Sequence, residues 1–154
     1  MAASANPTGE DWVLLMLFVG GKKQRYNEPV AGRTRLMKEL FLLRQRAGNL
    51  PSFFEFRPYK YGPHSDEVLS AIDSLMADGY LQSSPGFGSE IYSLTPDGVR
   101  RAAALFNVLD DRTRRLLTDI KIQFNGIPLS DLLEYVYSRY PRFASVSEYE
   151  PPSE

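Results

Sequence analysis

Cysteine is absent from this chain of 154 residues, and histidine occurs once, at His64. The first absence excludes disulfides, thiolate zinc sites and cysteine nucleophiles, and suits a reducing, cytoplasmic setting. The second excludes metal sites built from several imidazoles. Long apolar runs are missing too. The longest, Trp12 to Val19, falls far short of the roughly 20 residues that a membrane-spanning helix needs. It follows Glu10 and Asp11 rather than a basic leader, so neither a signal peptide nor a membrane span is expected. Neither sign of charge dominates: 18 Lys and Arg stand against 19 Asp and Glu. Any affinity for nucleic acid must therefore come from local clustering.

What is present is an ordinary globular composition, 43% hydrophobic and 24% charged, enough for one core with a helical appendage. Residues 1–9 read as a flexible leader and 144–154 as a flexible acidic tail. Between them, residues 10–108 read as one domain and 109–143 as a helical extension. Trp12 to Val19 suits a short helix stopped by Gly20 and Gly21. Thr34 is placed to cap a helix running to Ala47, with Leu36, Leu40 and Leu43 on its inner face. Arg35, Lys38, Glu39 and Arg46 project opposite, as a basic outer face. Leu42 breaks that face, and predicts either a cover from the C-terminal helices or a protein contact.

Ser52 to Phe56 alternates as a short strand does. Gly62-Pro63 then breaks the chain before Ser65, a good N-cap for an amphipathic helix to Ala77 that buries Val68, Ile72 and Leu75. Tyr80 to Ser83 and Glu90 to Leu94 suit two strands joined by a turn over Pro85 to Ser89. Thr95-Pro96 caps and starts the next helix, and Asp111 to Phe124 and Leu129 to Tyr140 are two more. Helix, ribbon and capped helix in this order predict an α+β, mostly helical fold: a winged helix-turn-helix core with a β-hairpin wing and two additional C-terminal helices.

Arg33 to Leu43 (RTRLMKELFLL) and Tyr59 to Val68 (YKYGPHSDEV) resemble the Panacea, or SocA-like, antitoxin family and related prokaryotic winged-helix proteins. The match rests on Arg35, Leu36, Lys38, Leu40 and Phe41 in the first motif and on Tyr59, Lys60, Tyr61, Gly62 and Pro63 in the second. The resemblance implies a winged scaffold over residues 12 to 106 that binds DNA, a toxin or a protease adaptor. The tyrosine-rich Leu129 to Pro141 is longer than that family's ending.

The residues themselves suggest two kinds of partner. Residues 20 to 46 concentrate basic side chains, and Lys22, Lys23, Arg25, Arg35 and Lys38 are the candidate phosphate contacts for double-stranded DNA, with transcriptional regulation as the role. Arg100, Arg101, Arg112, Arg114, Arg115 and Lys121 make a second cluster. Yet the Ser65 to Ala77 helix carries Asp66, Glu67 and Asp73 and no Lys or Arg, leaving Ser70 and Ser74 to read bases, a thin set. Phe87, between two glycines at the wing tip, suits a groove or a partner's pocket. The alternative is a protein-interaction module of antitoxin or adaptor type, using Leu42, Tyr59, Tyr61, Phe87, Tyr137 and Tyr140. The apolar face of the last helix also suits a homodimer.

Enzyme signals are poor. VGGKKQ lacks the first glycine of a phosphate-binding loop and the hydroxyl residue after lysine. His64, Ser65 and Asp66 are chain neighbours at a helix start, not a triad. No catalytic residue, metal ligand or cofactor is expected.

Overall fold

Every residue from Asp11 to Phe18 is buried, because the first helix runs through the middle of the molecule in the computed structural model. The structure describes residues 7–48, 50, 53–60, 62–86 and 88–144. This helix, α1 (Gly9–Phe18), is apolar all round, as a helix enclosed on every side must be. Thr8 starts it with a capping box: its hydroxyl accepts from the Asp11 N–H (3.2 Å), and the Asp11 carboxylate accepts from the Thr8 N–H (3.0 Å).

Around α1 pack α2 (Arg33–Ala47), α3 (Asp66–Ala77), α4 (Pro96–Val108) and α5 (Asp111–Phe124). A last helix, α6 (Leu129–Arg139), lies on α2 and ends in a short 3-10 turn at Pro141–Phe143. Two small antiparallel sheets complete an α+β architecture. One has the order β1 (Val30–Ala31), β5 (Glu90–Leu94), β4 (Leu81–Pro85), with Leu81 opposite Leu94 and Val30 opposite Tyr92. The other is a ribbon of β2 (Arg57–Tyr59) and β3 (Gly62–His64).

Several sequence expectations hold. Ser65 caps α3 by accepting from the Val68 N–H, Thr95 caps α4 with Pro96 at its first turn, and Gly48 follows α2. Others are corrected. Gly32, at φ +96°, occupies the cap position of α2, so Thr34 lies inside the helix instead of capping it. Residues 53–56 form no strand. Their rings turn inward, Phe53 onto Trp12 (5.7 Å between centroids) and Phe56 onto Phe41 (5.4 Å), and the strand begins only at Arg57.

The largest correction concerns the outer face of α2. Arg35, Lys38 and Glu39 are buried, at 7%, 3% and 0% exposure. The reason is that α5 and α6 pack across the side of α2 that α1 leaves open. Leu42 is fully buried beneath that cover, which removes it as a contact for a partner. Phe87 and Tyr61, residues 1–6, 49, 51–52 and the tail 145–154 lie outside the described residues. Among the described residues, no helix is long and apolar enough to cross a membrane.

Candidate functional site

The exposed side of α3 borders a groove of about 700 Å³, within the range usual for ligand sites. Val68, Ala71, Ile72 and Leu75 are buried, leaving Asp66, Glu67, Ser70 and Ser74 exposed on the other side. Across from them stand Thr8, Gly9 and Glu10 at the start of α1, and Phe53 and Phe54 from the segment before β2. The groove thus has an aromatic wall and a largely acidic border.

Its charges are ordered by neighbours. Asp66 accepts from His64 at 2.9 Å and faces Arg57 at 3.4 Å; the His64 hydrogen bond holds its carboxyl below the ordinary value, with slight burial opposing and Arg57 assisting. Glu67 accepts from the Glu55 N–H at 2.9 Å, tying the Phe53–Phe56 segment to α3. Arg101 is the cation lining the groove, and it is engaged within the protein: it pairs with Asp11 at 3.0 Å and lies over the Tyr80 ring. Ser70 and Ser74, expected near a nucleic-acid groove, therefore line an acidic and aromatic surface.

The basic residues are dispersed. Lys22, Lys23 and Arg25 are exposed on the loop after α1, with Arg25 over the Tyr26 ring. Arg33 is held by Asp73 (3.0 Å) and the Tyr92 hydroxyl (2.8 Å), and Arg114 by Asp111 and two carbonyls at the end of α4. Arg46 donates to Gln123 and Tyr135. Arg35 and Lys38, candidate phosphate contacts by sequence, are too buried to meet the phosphate backbone of a DNA duplex. Arg35 donates to the Phe124 carbonyl (2.8 Å) and Lys38 to the Pro63 carbonyl (3.0 Å).

Lys121, expected in the second basic cluster, is fully buried and donates to the Met16 and Val19 carbonyls at 2.5 and 2.9 Å, closing the end of α1. Burial lowers it to about 8, with Glu39 and Glu28 opposing. Glu39 is raised to about 7 by burial, against the pull of Lys121 and Arg35. For Glu28, burial works upward, but Asn125, the Lys23 and Gln24 N–H groups and Lys121 together hold it below its ordinary value. This interior network joins α1, α2 and α5. Its sequence signal was Leu42, an apolar residue on a face otherwise read as polar.

The aromatic candidates divide. Tyr59 is 40% exposed, between Arg57 (4.9 Å) and His64 (4.8 Å), and remains available to a partner. Tyr140 packs on Phe41 (5.2 Å), and Tyr137 comes against Gly62. Leu132, Leu133 and Val136 are buried within this chain, so the apolar face of α6 is already covered. Among the described residues, no cluster of three or more His, Asp or Glu side chains is placed to hold a metal ion. No protein-family model and no curated protein sequence matches this chain.

Proposed function

We propose that this protein is an interaction module on a winged-helix scaffold, and that the α3 groove receives a basic, partly apolar segment of a partner protein. The observation that carries the reading is the groove itself, with Phe53 and Phe54 as a wall and Glu10, Asp66 and Glu67 on its border. Apolar surface rimmed by one sign of charge suits a protein partner of the opposite sign. The helix that a winged-helix protein would lay in a DNA groove here presents carboxylates and two serines, which phosphates would repel.

Three features support the winged-helix reading. The β4–β5 ribbon follows α3 directly, β1 joins it in the order β1-β5-β4, and α4 closes the unit. The β2–β3 ribbon is an added part between α2 and α3. An antitoxin or adaptor role, which the resemblance to Panacea domains implies, fits such a module.

Double-stranded DNA is the second reading, favoured by the exposed Lys22, Lys23 and Arg25 on one loop. One paired experiment separates the two. Affinity capture from the native cell is run with the wild type and with Ser70→Arg, which places a cation in the groove without touching the buried face of α3. A partner retained by the wild type and lost by the variant is expected. Duplex DNA is measured by anisotropy at about 50 and 200 mM salt. Binding that collapses at the higher salt and disappears on replacing Lys22, Lys23 and Arg25 with alanine would overturn the protein-partner reading.

A further inference from the structure

A second, smaller cavity lies on the other side of α3, between α2 and the β2–β3 ribbon, with a volume of about 190 Å³. That is below the roughly 300 Å³ at which pockets for drug-sized ligands begin, so its occupant has few atoms. Arg33 and Lys38 of α2 line it with Tyr59, Lys60 and His64 of the ribbon; among the described residues, no Asp or Glu does. We propose that this cavity binds a small oxyanion, a sulfate- or phosphate-sized group or a carboxylate, with Lys38 as its central donor.

The geometry of Lys38 carries the argument. An ammonium has three donors, and Lys38 is 3% exposed and, among the described residues, makes one side-chain hydrogen bond, to the Pro63 carbonyl at 3.0 Å. A buried ammonium so sparsely partnered is costly unless an anion meets it. Burial alone depresses its pKa to about 7, with no carboxylate offsetting the effect. Lys121 makes the contrast: it is equally buried, yet has two carbonyl acceptors and Glu39 and Glu28 nearby, and it lines neither cavity described here. Arg33 and His64 are steadied from outside by Asp73 and Asp66.

The ribbon is shaped for this closeness. Gly62, at φ +91°, lies so near that a Cβ there would be 3.6 Å from Lys38 Cε and 2.8 Å from the Tyr137 ring. A Cβ there would press on the Tyr137 ring and meet the lysine at ordinary contact distance, and the positive φ also favours glycine. Among the described residues, the titratable and charged groups around this cavity and Lys38 are Arg33 from its own helix, Tyr59, Lys60 and His64 from the ribbon, and Tyr137 from α6.

The test is a ¹H–¹⁵N NMR titration of the full chain at pH 6.5 with sodium sulfate and, separately, sodium acetate, each against sodium chloride at equal ionic strength. Saturable shifts at Thr34, Lys38, Lys60 and His64 are expected with at least one oxyanion, and which one responds distinguishes a tetrahedral from a planar ligand. Lys38→Met should weaken binding about tenfold or more, the scale of a charge-assisted hydrogen bond. Lys60→Ala, at an exposed position, should weaken it severalfold. Sulfate keeps its charge from pH 6.5 to 8.5, so its affinity should fall more steeply over that range in the wild type than in Lys38→Met. Absence of saturable shifts with both anions would overturn the proposal. So would shifts confined to other residues, or shifts undiminished in both variants.

Discussion

Lys38 and Glu39 are adjacent on α2, and burial moves them in opposite directions, which gives each a signature in stability against pH. Lys38 falls from 10.5 to about 7. Between those values the unfolded chain holds a proton that the folded chain does not, so stability rises with pH, toward about 1.4 kcal/mol per unit from this group. Lys121 adds a similar rise above about 8. The contribution of Lys38 is isolated by comparing urea unfolding of wild type and Lys38→Met at pH 7.5, 8.5 and 9.5: the variant should show the shallower rise. Equal slopes would mean that the ammonium is better solvated than its 3% exposure implies. Glu39 rises from 4.5 to about 7, so its contribution is complete below 4.5 and is lost as pH climbs through 7. Glu39→Gln should flatten that decline, which the same unfolding series extended to pH 4.5 measures. These residue-scale effects were not legible in the chain, because an Arg, a Lys and a Glu at helical spacing look the same on a wet face and beneath two other helices.

At the scale of elements, the helices and the β4–β5 ribbon announced themselves, and the two- and three-residue strands β1, β2 and β3 did not. The caps at Ser65 and Thr95 act through hydrogen bonds to backbone three residues ahead, a local matter that sequence displays. Val30 and Ala31 form a strand only because β5 lies beside them, and the β2–β3 ribbon exists through pairing across the Tyr59–Gly62 turn. Glycine contacts give two predictions. Gly62→Ala, with a positive φ and the Tyr137 ring 2.8 Å from the new methyl group, should destabilise by at least about 1–2 kcal/mol from the backbone alone. In Gly98→Ala the sign is the test. Alanine in a helix ordinarily gains about 1 kcal/mol over glycine, but here its Cβ would press on the Tyr80 carbonyl oxygen, which belongs to backbone and cannot swing aside. A lower Tm is expected, and a higher one would show that α4 can slide away from Tyr80.

For the molecule as a whole, α5 and α6 are part of the core. Leu117, Ile120, Phe124, Leu132 and Val136 belong to the same buried cluster as α1 and α2. They also supply the cover over Arg35, Glu39 and Leu42. A chain ending at Val108 would expose that side of α2 and leave the end of α1 without Lys121. It should therefore show no cooperative thermal transition, in contrast to the full chain. A sharp two-state melt of residues 1–108 would instead make the C-terminal helices a separable extension. Interaction surfaces also belong to this scale. The α3 groove joins residues as far apart as Glu10, Phe54 and Ser70, and no stretch of sequence contains it.

Local chemistry was enough to place α1 to α6 close to their observed bounds, to cap two of them, α3 and α4, and to predict the ribbon between Leu81 and Leu94. Periodicity, capping residues and turn residues act within a few positions, and a chain carries them openly. Which face of α2 is wet, which cations reach solvent, and where an acidic groove opens depend on what packs against what. Residues 77 to 105 positions apart make those contacts, as Lys121 with Met16 and Arg46 with Gln123. Leu42 alone hinted at the cover, because an apolar side chain on a polar face must be buried by something.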